Sequence, residues 1–309
     1  MIWDNALLVG NQVLILFLLI FVGMAARRFR LLDEQGVHQL TNLLLVIITP
    51  SVIILSFQTP FDRTLLQGIL IAAAFAVLTH VVGAVVGRAC FRRQPDGRRR
   101  VLTYAVVFTN CGFMCLPLLD AVLGSRGIFY GSVYIAVFNI AQWTYGIVLM
   151  AGSQQEIKLR RALLNPGTVA LLIGLPLFLA GIRLPALPTR VLEYVAAVNS
   201  PVAMFIIGAQ MAQVSLHRIA GPVSFSLAVA LRLLAVPLIM LLGLMLFPLD
   251  RVLALSILIP AAAPAAAATA IFAGRYNQDT TLATQLVTVT TFLSILTMPL
   301  LILFYDLFV

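Results

Sequence analysis

The feature that most constrains this chain is a succession of apolar segments, each close to the length that crosses a membrane. The hydrocarbon core is about 30 Å thick, and a helix needs about 20 residues to cross it. Ten segments approach or exceed that length, at 6–26, 37–58, 65–90, 101–122, 127–151, 167–182, 189–212, 219–247, 252–273 and 280–305. Because backbone groups in lipid must be hydrogen-bonded internally, the sequence predicts an all-α polytopic membrane protein with ten transmembrane helices.

Composition agrees with a membrane protein. Hydrophobic residues make up 61% and charged residues 10% of the 309 residues, and the mean hydropathy is +1.06. The net charge of +9 would suggest nucleic acid as the partner of a soluble protein. Here the basic residues stand in short loops between apolar segments, and no basic patch is interleaved with aromatic residues. The expected partner is therefore the lipid bilayer, and nucleic-acid binding is not expected.

The loop charges predict the orientation of the ten helices. If the N-terminus lies outside, the inside loops hold most of the arginines and lysines, which is the usual bias of cytoplasmic loops. The outside loops then hold only Arg63, Arg126, Arg183, Arg190 and Arg251. We therefore expect both termini to lie outside.

Two halves of five helices each would enter the membrane in opposite orientations, which predicts an inverted repeat. Pro50 in the second segment and Pro201 in the seventh occupy similar places, as do Pro117 in the fourth and Pro264 in the ninth. The sequence therefore predicts a first repeat over 1–152, a cytoplasmic linker over 153–166 and a second repeat over 167–309.

Pro117 and Pro264 predict two interrupted helices. A proline removes a backbone donor and clashes with the preceding turn, so we expect each helix to break at its proline. Freed backbone groups at membrane depth survive only where protein or a polar cavity satisfies them. Paired interrupted helices in corresponding places indicate the binding site of a transporter. The exposed N-terminal ends of the half-helices favour an anion such as a small carboxylate.

Several polar or small residues surround these breaks. The Asn110 amide, two turns before Pro117, can bind a carboxylate or make a structural hydrogen bond. The alanines around Pro264 can leave room for a ligand or let two helices pack closely. Asn139 and Gln142, three residues apart in the fifth segment, are predicted to share one helix face.

Arg232 is a basic residue deep inside the eighth segment, and such a charge needs a partner or a functional role. It can pair with Asp120 or bind carbonyls freed at a helix break, and it can act as a structural clamp or as a countercharge for substrate. His80 falls near the repeat-related position and can relay protons or simply pack.

Enzymatic chemistry is not expected. The sequence has no His-Glu-x-x-His, Gly-x-Ser-x-Gly or phosphate-binding glycine motif, and Asp120 has no second carboxylate at membrane depth. The three cysteines, Cys90, Cys111 and Cys115, lack further ligands for a metal and are expected to pack as small apolar residues. We therefore predict no catalytic residue, no metal and no cofactor.

These same segments resemble the auxin efflux carrier family, which includes the plant PIN-type carriers and bacterial relatives. The resemblance covers most of the chain. It rests on four segments: Asn110-Cys-Gly-Phe-Met-Cys-Leu-Pro117 through Gly124, Pro264 through Phe272-Ala-Gly-Arg-Tyr-Asn277, Arg232 with Pro237, and Pro201-Val-Ala-Met-Phe.

The resemblance implies a fold like that of bile-acid transporters, in which helices 4 and 9 are broken and cross. Helices 1, 2, 6 and 7 would form a scaffold, expected to dimerise, and helices 3–5 and 8–10 a mobile transport domain. The implied substrate-binding residues are Asn110, Cys111, Gly112, Pro117, Ala263, Pro264, Ala265, Ala267, Thr49 and Asn139. Arg232, Asp120, Gln142 and His80 are expected to support the site or couple it to an ion.

The expected function is efflux of small organic carboxylates across a bacterial inner membrane by elevator-type alternating access. Two departures from plant carriers, a short central linker and the alanines of helix 9, favour another organic anion, such as a dicarboxylate, over auxin. Coupling to protons, sodium or membrane potential is left open. The alternative is a sodium-coupled organic-anion symporter of the bile-acid-transporter type, although sodium needs several oxygen ligands and acidic side chains are scarce here. A non-transporting membrane sensor ranks last.

Overall fold

The computed structural model describes residues 2–153, 160, 163–212 and 222–308, and this part of the chain is helical. The helices are α1 (Ile2–Arg28), α2 (Glu34–Ser56), α3 (Arg63–Phe91), α4 (Asp96–Val107), α5 (Cys111–Ala151), α6 (Pro166–Leu179), α7 (Ala186–Met211), α8 (Val223–Met245), α9 (Arg251–Ala262), α10 (Ala268–Arg275) and α11 (Thr280–Phe308). Most of the predicted linker over 153–166 lies outside the described residues.

Several of these helices can cross a membrane by length and composition. Within the described residues, six are long and apolar enough: α2, α3, α5, α7, α8 and α11. Helices α6 and α9 are apolar but shorter. The prediction of an all-helical protein with several membrane spans is therefore confirmed.

Helix α5 is two helices joined by a sharp turn at Gly124. The backbone there has φ 63° and ψ −156°, a conformation that L side chains rarely adopt. A Cβ on Gly127 would lie 3.0 Å from the Leu119 carbonyl oxygen, and Gly131 also lies against Leu119. In a straight helix, positions 119 and 131 would be about 18 Å apart. The chain therefore reverses at Gly124, and residues 125–151 form a separate arm from residues 111–123.

Three of the four π turns in the described residues end two positions before a proline. The turns are Leu44–Ile48, Cys111–Cys115 and Leu231–Ala235, and the prolines are Pro50, Pro117 and Pro237. A proline ring clashes with the carbonyl one α-helical turn earlier and has no N–H for it. A wider turn displaces that carbonyl, so the helix accommodates the proline without ending.

The chain forms two compact units. Unit 1 comprises Met1–Ala73, Gly112–Ala136 and Leu163–Val214, and unit 2 comprises Ala74–Cys111, Val137–Ala162 and Ser215–Val309. Unit 1 thus contains α1, α2, α6 and α7, whereas unit 2 contains α4 and α8–α11.

Inside unit 1, α1 and α7 approach each other through glycines. A Cβ on Gly23 would lie 2.6 Å from the Phe205 Cα, and one on Gly208 would lie 2.8 Å from the Met24 nitrogen. Real Cβ atoms do not come this close to backbone, so only glycine permits the contact. Small residues at such crossings are typical of membrane helices, where packing drives association.

The core of unit 1 also contains three stacked rings. Phe57 and Phe129 have ring centroids 4.6 Å apart, and Phe178 lies 5.2 Å from Phe129. All three side chains are buried. These contacts join the end of α2, the second arm of α5 and α6.

In unit 2, a bidentate ion pair joins the start of α9 to the end of α11. The Arg251 guanidinium donates through Nε and Nη2 to the two carboxylate oxygens of Asp306, each at 2.7 Å. This geometry is the strongest form of a carboxylate pair. It anchors the helix that leads into the second interruption described below.

Candidate functional site

Two interrupted helices supply the centre of unit 2. Helix α4 ends at Val107, and Phe108 is extended with φ −100° and ψ 123°. Helix α9 ends at Ala262, and Ala263 is extended with φ −62° and ψ 153°. Residues 108–110 and 263–266 are therefore non-helical. Each break frees backbone groups that need partners.

The two non-helical stretches pair with each other as a short antiparallel crossing. The Asn110 amide donates to the Pro264 carbonyl at 2.8 Å, and the Ala266 amide donates to the Phe108 carbonyl at 2.9 Å. Thr109 and Ala265 lie opposite one another between these bonds. The backbone groups freed at one break thus satisfy those freed at the other, which makes the interruption tolerable inside a membrane.

Only one of the two prolines lies in a break. Pro264 falls in the second stretch, as predicted, but the expectation that the first helix breaks at Pro117 is wrong. The break precedes it at residues 108–110, and the chain is helical again from Cys111. The π turn at Cys111–Cys115 displaces the carbonyl that would clash with the ring of Pro117, so the helix continues through this proline.

Arg232, on α8, binds the carbonyl ends of both interrupted helices. Its side chain is fully buried. The Nη1 atom donates to the Val106 carbonyl at 2.8 Å, and Nη2 donates to the Ala261 carbonyl. Val106 and Ala261 stand in the last turns of α4 and α9. Of the two sequence alternatives, binding to carbonyls at a helix break is therefore the one found within unit 2.

Thr290, on α11, binds the second stretch and is not among the residues predicted from the sequence. Its Oγ1 accepts a hydrogen bond from the Ala265 amide at 3.1 Å and donates to the Leu286 carbonyl at 2.7 Å. The only sequence signal was a cluster of hydroxyl residues in an otherwise apolar span, Val287-Thr-Val-Thr-Thr291.

Side chains around the crossing are small and buried. Ala263, Ala265 and Pro264 are buried, and Ala267 is half-buried. Asn110 is 7% exposed. The run of alanines therefore brings the two main chains together and leaves little side-chain bulk on the side of α9.

A second unassigned hydroxyl belongs to Thr269, in the first turn of α10. This side chain is completely buried, and its Oγ1 has no hydrogen-bond partner among the described residues. A buried polar atom without a partner costs free energy, so such a group often serves a ligand. Because threonine is common in membrane helices, nothing in the sequence alone distinguishes this residue.

Aromatic rings line the rest of this part of unit 2. Phe108 contacts Tyr104, with centroids 4.4 Å apart, and Phe138, at 5.9 Å. The His80 ring lies 5.7 Å from Phe108, and its Nδ1 lies 2.7 Å from the Ala76 carbonyl. Because a carbonyl only accepts, Nδ1 carries a hydrogen.

The remaining predicted residues divide between the units. Asn139, Gln142 and Cys111 are buried in unit 2, and the Gln142 amide lies beside the Tyr104 hydroxyl. Four others belong to unit 1: Thr49, Gly112, Pro117 and Asp120. Thr49 is buried with a hydroxyl that has no partner in the described structure, whereas Asp120 is exposed. No three His, Cys, Asp or Glu side chains converge as metal ligands among the described residues.

This architecture defines the class as a helical membrane protein with two interrupted helices that cross. A family model described as membrane transport protein matches residues 8–160 and 155–302. The chain therefore belongs to the membrane transport protein family, and its resemblance to the auxin efflux carriers is confirmed. It is also similar to an uncharacterized transporter from Methanothermobacter thermautotrophicus, with 26% identity over 299 residues, covering 94% of this chain and 96% of the relative.

Proposed function

We propose that this protein is a secondary transporter that moves small organic carboxylates across the membrane. The observation that carries the proposal is the crossing of two interrupted helices in unit 2, with Asn110 and Pro264 joined at its centre. Paired broken helices bring helix ends to membrane depth, where they can bind a polar solute without lipid contact. Membership of the membrane transport protein family supports the same conclusion.

The chemistry around the crossing favours an anion. The half-helices that begin at Cys111 and Ala268 present N-terminal ends, whose partial positive charge favours a carboxylate. Asn110 and Thr269 add side chains that can donate hydrogen bonds. The opposite, carbonyl ends at Val106 and Ala261 are already bound to Arg232. The Arg232 guanidinium thus offsets the negative ends of the two helices, whereas the positive ends have no such countercharge assigned to them within the described residues.

The alanines on the α9 side add no polar group to the proposed site. Ala263, Ala265 and Ala267 provide space but no recognition, so selectivity would come from the donors on the other side. This asymmetry suits a compact substrate with one or two carboxylates, such as a dicarboxylate. Asn139, in unit 2, is proposed to border the same substrate, by analogy with the family.

The proposed topology is ten helices in two inverted repeats of five, with both termini outside the plasma membrane. The reversal at Gly124 supports it, because this turn makes two spans of the long helix α5. Helices α9 and α10 together form the second interrupted span. The excess of basic residues in the loops assigned to the inside supports the orientation.

The proposed mechanism is elevator-type alternating access in a homodimer. Unit 1 contains α1, α2, α6 and α7, the helices expected in the scaffold, and also Gly112–Ala136 of α5, which was expected in the transport domain. Unit 2 contains the crossing and α8–α11, which are expected to move with the substrate. Export is the proposed direction.

Transport in proteoliposomes tests the proposal. Radiolabelled malonate, malate and indole-3-acetate are offered to wild type and to Asn110→Ala and Asn110→Asp. The aspartate keeps the shape of the side chain but repels an anion, so we expect Asn110→Asp to reduce transport more than Asn110→Ala. Asn42→Ala, the same truncation at an exposed position, is the matched control and should transport normally.

Two results would refute the proposal. One is that no carboxylate is moved and none raises the melting temperature of the purified protein, since a bound ligand stabilises the folded state. The other is that Asn110→Asp folds and transports at the wild-type rate, which would remove the crossing as the binding site.

A further inference from the structure

The carbonyl ends of α4 and α9 meet at one point, and this creates a concentrated negative potential. Each helix C-terminus carries a partial charge of about −0.5 from its unpaired carbonyls. Two such ends together therefore amount to about one negative charge at membrane depth. An uncompensated charge of this size in a low-dielectric environment is costly. Some cation has to balance it.

Arg232 provides that cation from the protein itself. The guanidinium is planar with several donors in a fixed fork, so one side chain can bind two carbonyls on different helices. Nη1 reaches the Val106 carbonyl at 2.8 Å, and Nη2 reaches the Ala261 carbonyl. Its single positive charge matches the combined charge of the two helix ends. Since arginine does not lose its proton in proteins, this compensation is permanent.

The position of Arg232 is set by the backbone of α8. The residue lies inside the π turn Leu231–Ala235, which ends two positions before Pro237. Such a turn redirects the side chains it carries and is often found at functional sites. Full burial and the bonds to the Val106 and Ala261 carbonyls hold the guanidinium in place, so it does not need to be ordered when substrate binds.

We propose that Arg232 occupies the place of a coupling cation, so that substrate binding at this crossing requires no sodium ion. A free sodium ion would need several oxygen ligands, and the Val106 and Ala261 carbonyls that could serve are taken by the guanidinium. The inference rests on the proposed function and adds to it the mode of coupling: the protein carries its anion without a bound metal cation.

The test compares sodium dependence in wild type, Arg232→Lys and Arg232→Gln. Carboxylate transport is measured in proteoliposomes with sodium and with choline as the only external cation. The melting temperature of each purified, substrate-free protein is measured in the same two salts. Arg275→Gln removes an exposed arginine of the same unit and serves as the matched control.

Wild type and Arg275→Gln are expected to transport and melt identically in the two salts. Arg232→Gln is expected to lose transport in choline by about tenfold or more, because two charge-assisted hydrogen bonds are lost. Sodium should raise its melting temperature, since the vacated carbonyls can then bind the ion. Arg232→Lys keeps the charge and should retain more transport than Arg232→Gln.

Three outcomes would overturn the proposal: a sodium requirement of wild-type transport, a sodium-induced rise in the melting temperature of wild type, or normal transport by Arg232→Gln in choline. The melting measurement requires no substrate, so it decides the matter even if no carboxylate is transported and the proposed function fails. If Arg232→Gln does not fold, wild type and Arg232→Lys still decide it, because a lysine variant that depends on sodium contradicts compensation by charge.

Discussion

The main-chain amide of Asn110 donates to the main-chain carbonyl of Pro264 at 2.8 Å, joining residues from opposite halves of the sequence. With the reverse bond from Ala266 to Phe108, it forms a two-bond crossing buried in unit 2. Neither bond uses a side chain. The neighbours Arg232 and Thr290 then hold the crossing in place, one through carbonyls and one through an amide.

Thr290→Val should destabilise the protein. The valine has nearly the same shape but no oxygen, so the Ala265 amide loses its acceptor at 3.1 Å. Leaving a buried donor without a partner costs about 1–3 kcal/mol. We expect a clear fall in melting temperature in detergent, restored by Thr290→Ser. Thr291→Val is the control, because that hydroxyl donates to the Val287 carbonyl of its own helix. Equal melting of the two valine variants would contradict the assigned role.

Thr269→Val should separate stability from binding. Its hydroxyl is buried without a partner in the described structure, so an apolar replacement of equal shape should leave the ligand-free melting temperature unchanged or raise it. If the hydroxyl contacts substrate, the same variant should bind carboxylate about tenfold more weakly or worse, because a lost hydrogen bond to a charged group has that magnitude. Isothermal titration of the purified variants measures this affinity. A loss of stability without loss of affinity would show that the hydroxyl is structural.

Gly208→Ala and Gly243→Ala should have opposite effects on stability. At Gly208 the new methyl group would lie 2.8 Å from the Met24 nitrogen, and overpacking of this kind costs about 1–3 kcal/mol. At Gly243 the nearest atom, a ring carbon of Phe75, would be 3.8 Å away. There alanine fits and favours the helix by about 0.5–1 kcal/mol. Melting temperatures of the two variants check the difference in sign.

The Arg251–Asp306 pair should show a small, salt-sensitive coupling energy. Both bonds are 2.7 Å, but the arginine side chain is 38% exposed, so solvent screening keeps the coupling to about 1 kcal/mol or less. A double-mutant cycle with Arg251→Gln and Asp306→Asn measures it. The exposed pair of Arg190 and Glu193, with a single bond at 3.1 Å, should give a smaller value. A larger coupling for the exposed pair would contradict this ranking.

The helical class and the second break could be predicted because each depends on local sequence. The length of each apolar segment determines the membrane spans. Pro264 has no backbone donor, and the alanines around it have no side-chain group that could replace the lost hydrogen bond. The first break was misplaced because the proline rule describes a regular α-helix. A π turn before Pro117 accommodates the ring, so the helix continues there. The helix is interrupted instead at residues 108–110, whose backbone groups pair with those of residues 264–266.

Residues whose role depends on a distant partner were harder to predict. Arg232 was recognised because a charge in a membrane is conspicuous, and backbone carbonyls were one of two partners considered. Thr290 and Thr269 gave no comparable signal, since a hydroxyl can always bond to its own helix. Only the arrangement of α9, α10 and α11 separates them from other threonines.

Because the crossing is built from main-chain bonds, position 265 must supply an amide but no particular side-chain group, and proline there would remove the donor. Ala263 and Ala265 are fully buried, so larger side chains at these two positions would overpack the junction. Ala267 is half-buried, and a larger side chain there can reshape the neighbouring space while the two chains stay joined. Position 267 is therefore the natural choice for a library that retargets the protein to a different cargo.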